Sequence, residues 1–165
     1  MKYYIVLRVF IIACFLSIIS CSTSPNYSPI PELTFVGFDK VSMRQGSVNQ
    51  DSISLIIDFK DGDGDIGSPS NDNSINLFVI DNRTNQNYDF FRLPAIPEKG
   101  ANNGVEGRIF INLFSTCCIF SDGAPPCTRR ADVPTNLVSL SVFMIDRAGN
   151  RSNTVVTSEF SLLCN

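Results

Sequence analysis

Asp61, Asp63 and Asp65 alternate with Gly62 and Gly64 in the run DFKDGDGDIG (Asp58–Gly67), and Asn71 and Asp72 follow closely. Calcium takes roughly six to eight oxygen ligands, and a D-x-D-x-D spacing lets alternate side chains converge on one ion. With Asp61 as the first position, Asp72 falls at the twelfth, while the sixth is Ile66 rather than glycine and the ninth is Pro69 rather than a ligand. A solvated turn, in which Asp-Gly pairs supply positive φ angles, is the competing reading. Without a cation the three carboxylates repel one another. The candidate ligand set is therefore Asp61, Asp63, Asp65 and Asp72, and no cofactor is expected beyond a structural calcium ion at this loop.

The second chemistry is that of sulfur. Four cysteines lie in the body of the chain: Cys117, Cys118, Cys127 and Cys164. Four-thiolate zinc binding fits poorly, because paired C-x-x-C units are missing, and disulfides are expected instead. A bond between the neighbours Cys117 and Cys118 would close a strained ring. Adjacent strand residues point to opposite faces, so the two should seek different partners. Counting by twos from Ile109 through Ile111, Leu113 and Ser115 reaches Cys117 on the more apolar set, and Phe160, Leu162 and Cys164 form a similar set. The expected pairs are Cys117–Cys164, through or beside the core, and Cys118–Cys127, closing the Pro125-Pro126 loop. A bulge after Phe114 would shift the parity and swap the partners.

Composition removes other chemistry. The 165 residues carry 13 Lys+Arg against 16 Asp+Glu, a net charge of −3, and include neither histidine nor tryptophan. The acidic balance argues against a nucleic-acid partner. Lack of histidine removes Ser-His-Asp and Cys-His nucleophile systems and His-ligated metal sites. Carboxylate pairs could hydrolyse glycosides, but none stands out beyond the acidic run, whose hydrophilic loop is not expected to raise a pKa by burial. Lys40, Lys60 and Lys99 are not in S-x-x-K spacing. Arg129, Arg130, Arg147 and Arg151 read as solvated loop charges. Phe90, Phe91, Phe110 and Phe114 read as core.

These residues need elements to hold them. Lys2 and Arg8 precede the apolar run Val9–Ile19, too short to span a bilayer and of the length of a secretory signal. Residues 22–31 (STSPNYSPIP) have no apolar period and read as a semi-extended tether. Beyond them, short β-rich runs are separated by turn residues. Candidate strands are Leu33–Phe38, Ile53–Phe59, Ile75–Ile80, Tyr88–Leu93, Arg108–Phe114, Leu137–Ile145, Thr154–Thr157 and Phe160–Leu163. In the second, Ile53, Leu55, Ile57 and Phe59 share the face to be buried. Asp146-Arg147-Ala148-Gly149-Asn150 reads as a hairpin whose Gly149 takes a left-handed conformation. The expected fold class is an all-β, antiparallel sandwich of seven to eight strands, with residues 1–20 as signal, 21–31 as anchor and tether, and 32–165 as one domain.

Several motifs resemble known ones. Ile18-Ile19-Ser20-Cys21 resembles a bacterial lipobox, which implies cleavage before Cys21, lipidation of its sulfur and acylation of its amine. Ser22 in place of aspartate implies the outer membrane; which face of it stays open. The acidic run resembles the calcium loops of EF-hands, dockerins and thrombospondin type 3 repeats, with the departures noted above. Asp51-Ser52-Ile53 resembles the short O-glycosylation site of exported Bacteroidota proteins. DFKDGDGDIG (Asp58–Gly67) together with IDRAGNRSN (Ile145–Asn153) resembles small lipoproteins common in Bacteroidota, whose globular part is similar to an immunoglobulin-like sandwich. That resemblance implies location and fold and no reaction. The expected role is a non-catalytic binding or assembly module of the cell envelope, held to the membrane through Cys21 with an envelope protein or glycan as partner. A glycan-binding accessory protein is the alternative, weakened by the absence of tryptophan; a small hydrolase and a purely structural envelope protein are the competing classes.

Overall fold

Ile53, Leu55, Ile57 and Phe59 do share a buried face, and the strand they form organises the fold. The structure, a computed structural model, describes residues 27–47, 49–96 and 104–165. The signal segment, the lipidation candidate Cys21 and the tether up to residue 26 lie outside the described residues, as does Lys99.

The described residues form ten strands and no helix: β1 (Glu32–Phe38), β2 (Ser42–Arg44), β3 (Ser52–Asp61), β4 (Leu77–Asp81), β5 (Gln86–Phe91), β6 (Val105–Phe114), β7 (Thr135–Val138), β8 (Leu140–Met144), β9 (Val155–Val156) and β10 (Phe160–Leu163). The protein is all-β. Three sheets have the orders β1-β3-β6, β2-β10-β7 and β5-β4-β8-β9, and every pairing is antiparallel except β10 with β2. Strand β3 pairs along its whole length with β6, from Ser52 opposite Phe114 to Asp61 opposite Val105. Leu55 and Ile57 of β3, Val79 of β4, Leu140 and Val142 of β8, and Leu162 of β10 are fully buried in one cluster fed by all three sheets.

The strand count exceeds the expected seven to eight for two reasons. Strand β2 is only three residues long, too short to show an alternating pattern. The run Leu137–Ile145 is divided at Ser139, where the chain passes from one sheet to another: β7 joins β10, and β8 joins β4 and β9. The hairpin after β8 forms as expected: Gly149 has φ +89°, and Asp146 N–H donates to Asn150 O at 3.1 Å.

Two expectations are corrected. Phe110 and Phe114 are not core: β6 buries its odd-numbered side chains and turns its even-numbered ones to solvent, leaving Phe110 67% exposed. Phe90 is exposed as well. The disulfide pairing is also the reverse of the one counted: Cys117 bonds Cys127, and Cys118 bonds Cys164. Cys164 does face inward behind Phe160 and Leu162, but the parity on the other chain segment slips after Phe114. There β6 ends, Ser115 N–H donates to Asp51 O at 3.0 Å, and Gly46 N–H donates to Thr116 O at 3.1 Å. Cys118 N–H then donates to the Gln45 side-chain oxygen at 3.1 Å. The irregular stretch transfers the inward face from Leu113 to Cys118 and Phe120. Cys117 is left half-buried, beside the loop that carries Cys127.

Candidate metal centre

The parity that buries Ile53, Leu55, Ile57 and Phe59 also buries the next residue in the series, Asp61, which has no exposed surface. The chain then turns at Gly62, whose N–H donates to Ser28 O at 2.7 Å. A Cβ at Gly62 would lie 2.4 Å from the Tyr27 carbonyl oxygen, so only glycine admits this approach. Asp65 N–H donates back to Asp61 Oδ2 at 3.0 Å, closing a small loop. Asp63 stands exposed at its tip. The three aspartates each contribute a carboxylate oxygen to a group whose members lie within 4.8 Å of one another.

The second wall of the site comes from the hairpin after β8. Ala148 N–H donates to Asp65 Oδ2 at 2.8 Å, and Arg147 N–H donates to the Asp65 carbonyl oxygen at 3.3 Å. Arg147 Nη1 reaches the carbonyl oxygens of Ile66 at 3.4 Å and Gly67 at 3.3 Å. Asp146 is buried behind them, accepting from Asn150 N at 2.7 Å and Asn150 Nδ2 at 2.9 Å. The two motifs DGDGDIG and DRAGN, distant in sequence, thus form one structural unit. Nothing in either motif states that the other is its neighbour in space.

Electrostatics at the centre is unfavourable to charge. Burial, and then the Asp63 carboxylate, push the Asp61 carboxyl above its ordinary range. Burial and the Asp146 charge push Asp65 upward as well. The expectation that this loop was too hydrophilic to raise a pKa by burial is therefore corrected. Its first member belongs to a strand's inward face rather than to a solvated turn. Asp61 Oδ1 and Asp65 Oδ1 are both buried and accept no hydrogen bond.

Asp72 does not join the group. After Gly67 the chain is captured by the segment following β5: Ser68 N–H donates to Leu93 O at 2.9 Å, and Ala95 N–H donates to Ser68 O at 2.9 Å. That ladder carries the chain away before a twelve-residue calcium loop could close. Asp72 instead accepts from Ser74 N at 2.8 Å and Ser74 Oγ at 2.6 Å, and these bonds hold its carboxyl below the usual range. Among the charges read as solvated, Arg130 pairs with Asp122 and Asp132 and Arg151 lies 4.0 Å over the Phe143 ring. Lys40, outside any S-x-x-K spacing, meets Asp51 at 2.6 Å.

All donors gathered at the centre are carboxylate oxygens, which suit hard cations such as calcium or magnesium. Compared with known proteins, the chain matches no family model, no curated protein and no solved structure.

Proposed function

We propose that the chain is an exported, lipid-anchored binding or assembly module of the cell envelope, non-catalytic, and held at the outer membrane through Cys21. Its three sheets are read as parts of an immunoglobulin-like sandwich, antiparallel but for the β10–β2 pair, a reading supported by the single core they share. The observation that carries the functional reading is the use of the cysteines. The body joins Cys117 to Cys127 and Cys118 to Cys164, which suits an oxidising compartment outside the cytoplasm. That leaves Cys21 as the cysteine of the mature chain without a partner in the body, and it stands where Ile18-Ile19-Ser20 gives it a lipobox. A single acyl chain gives only marginal membrane binding, whereas the several chains of a lipidated N-terminal cysteine anchor stably.

The experiment is labelling with radioactive palmitate followed by membrane fractionation. Wild-type protein takes up label and travels with the outer membrane; Cys21→Ser takes up none and is either released or left unprocessed. Unlabelled, freely soluble wild-type protein would refute both the anchor and the location.

A further inference from the structure

The geometry points to a calcium-type cation site formed by Asp61, Asp63 and Asp65, which clamps the loop 61–67, the hairpin 145–151 and the segment 27–31 to one another. Three observations converge on it. The carboxylates of the three aspartates approach within 4.8 Å, where their charges repel one another unless a cation lies between them. Asp61 is wholly buried, yet its Oδ1 accepts no hydrogen bond, and the buried Oδ1 of Asp65 is in the same condition. Buried acceptors without partners are rare in folded proteins and costly, and one cation placed between these residues would satisfy both oxygens at once. The second oxygens are already committed: Asp61 Oδ2 to Asp65 N–H at 3.0 Å and Asp65 Oδ2 to Ala148 N–H at 2.8 Å. Each carboxylate is thereby oriented before an ion arrives.

The donor set fixes the chemical class. It is all oxygen and anionic, with no nitrogen or sulfur ligand in the group, which selects a hard divalent cation over zinc or copper. Exposed Asp63 leaves one side open, so water completes the coordination. With three carboxylates and no closing one, the site belongs with the weaker extracellular calcium modules, whose Kd is on the order of 10⁻⁴–10⁻³ M.

The clamp follows from what the ligand residues touch. Asp65 is bonded to the hairpin at Arg147 and Ala148, and Gly62, between two ligands, donates to Ser28 O at 2.7 Å. Tyr27 is held on the same side, its hydroxyl donating to Glu106 at 2.7 Å and its ring lying 5.6 Å from Lys60 Nζ. An ion at the three carboxylates would therefore order the segment 27–31 against the body.

The test uses the full chain, purified in detergent and stripped with chelator. Calcium chloride is titrated by isothermal calorimetry, and melting is followed in chelator, in calcium and in sodium chloride of matched ionic strength. We expect saturable binding and, at ten times the Kd, a melting point about 3–6 °C above that in chelator, with no such rise in sodium chloride. Asp63→Asn, at an exposed position, should weaken binding at least ~10-fold, consistent with losing one charged ligand, and should melt no lower than wild type in chelator because a repelling charge is gone. Asp72→Asn should keep wild-type affinity. Hydrogen exchange should slow on calcium addition in 61–67, 145–151 and 27–31 together. Superimposed melts in calcium and chelator with no saturable heat would overturn the site, as would wild-type affinity in Asp63→Asn or a shift reproduced by sodium chloride. Protection confined to 61–67 would overturn the clamp. None of these readouts depends on lipid at Cys21, so the site and the anchor stand or fall separately.

Discussion

Replacing Cys118 and Cys164 together by alanine should destabilise the domain more than replacing Cys117 and Cys127, although Cys117 and Cys118 are neighbours in the chain. The Cys118–Cys164 bond spans 46 positions and the Cys117–Cys127 bond spans 10. Loop-closure entropy in the unfolded chain then assigns about 4 kcal/mol to the first and about 3 kcal/mol to the second. Burial widens the gap. Cys118 and Cys164 have no exposed surface and pack in the core. Their truncation therefore also removes buried sulfur and leaves a void, adding about 1 kcal/mol. The half-buried outer bond carries no such surcharge. Against a total stability of about 5–15 kcal/mol, losing about 5 kcal/mol leaves a marginal domain, while losing about 3 kcal/mol leaves a folded one. Urea unfolding followed by circular dichroism gives both differences, each variant fitted with its own slope because losing a cross-link expands the unfolded chain. The same ranking should appear in wild-type protein under mild reductant. Cys117–Cys127 opens first in the native state, and Cys118–Cys164 opens only when the core does. A larger loss for the Cys117/Cys127 variant, or a cost below ~1 kcal/mol for Cys118/Cys164, would refute the reasoning. So would prior reduction of the inner bond.

Two further outcomes are expected. Gly62→Ala should cost about 1–3 kcal/mol and expose the bond after Tyr27 to chymotrypsin, because the new Cβ would sit 2.4 Å from the Tyr27 carbonyl oxygen, whereas Gly37→Ala meets nothing within 4 Å and should be nearly neutral to that protease. Asp51, lowered to about 2 chiefly by the Lys40 ammonium and the Arg44 N–H, contributes stability that is complete above pH 4 and lost as pH falls toward 2; after allowing for solvent around the pair this is about 1 kcal/mol, so the melting difference between wild type and Asp51→Asn should close between pH 4 and pH 2.

Alternation carried most of what the sequence determined. The parity of Ile53, Leu55, Ile57 and Phe59 states both that β3 is a strand and which face it buries, because side chains in a strand repeat every two residues whatever surrounds them. Extended by one step, the same parity buries Asp61, so the most consequential residue of the candidate site was legible in the pattern. The turn at Gly149 was legible for a similarly local reason: a short hairpin needs a positive φ there. What lay beyond reach was set by contacts between distant segments. The parity slip after Phe114 is made by Asp51, Gly46 and Gln45, residues about seventy positions earlier that claim the hydrogen bonds of Ser115, Thr116 and Cys118. That slip decides which of two adjacent cysteines faces the core. The removal of Asp72 from the acidic group is likewise the work of Leu93 and Ala95 on Ser68. The meeting of DGDGDIG with DRAGN depends on the backbone N–H groups of Arg147 and Ala148 and the Arg147 guanidinium reaching Asp65, Ile66 and Gly67 across the fold. Periodicity reports how each segment presents its own side chains, but where a free backbone N–H or C=O finds its partner is decided only when the sheets have packed.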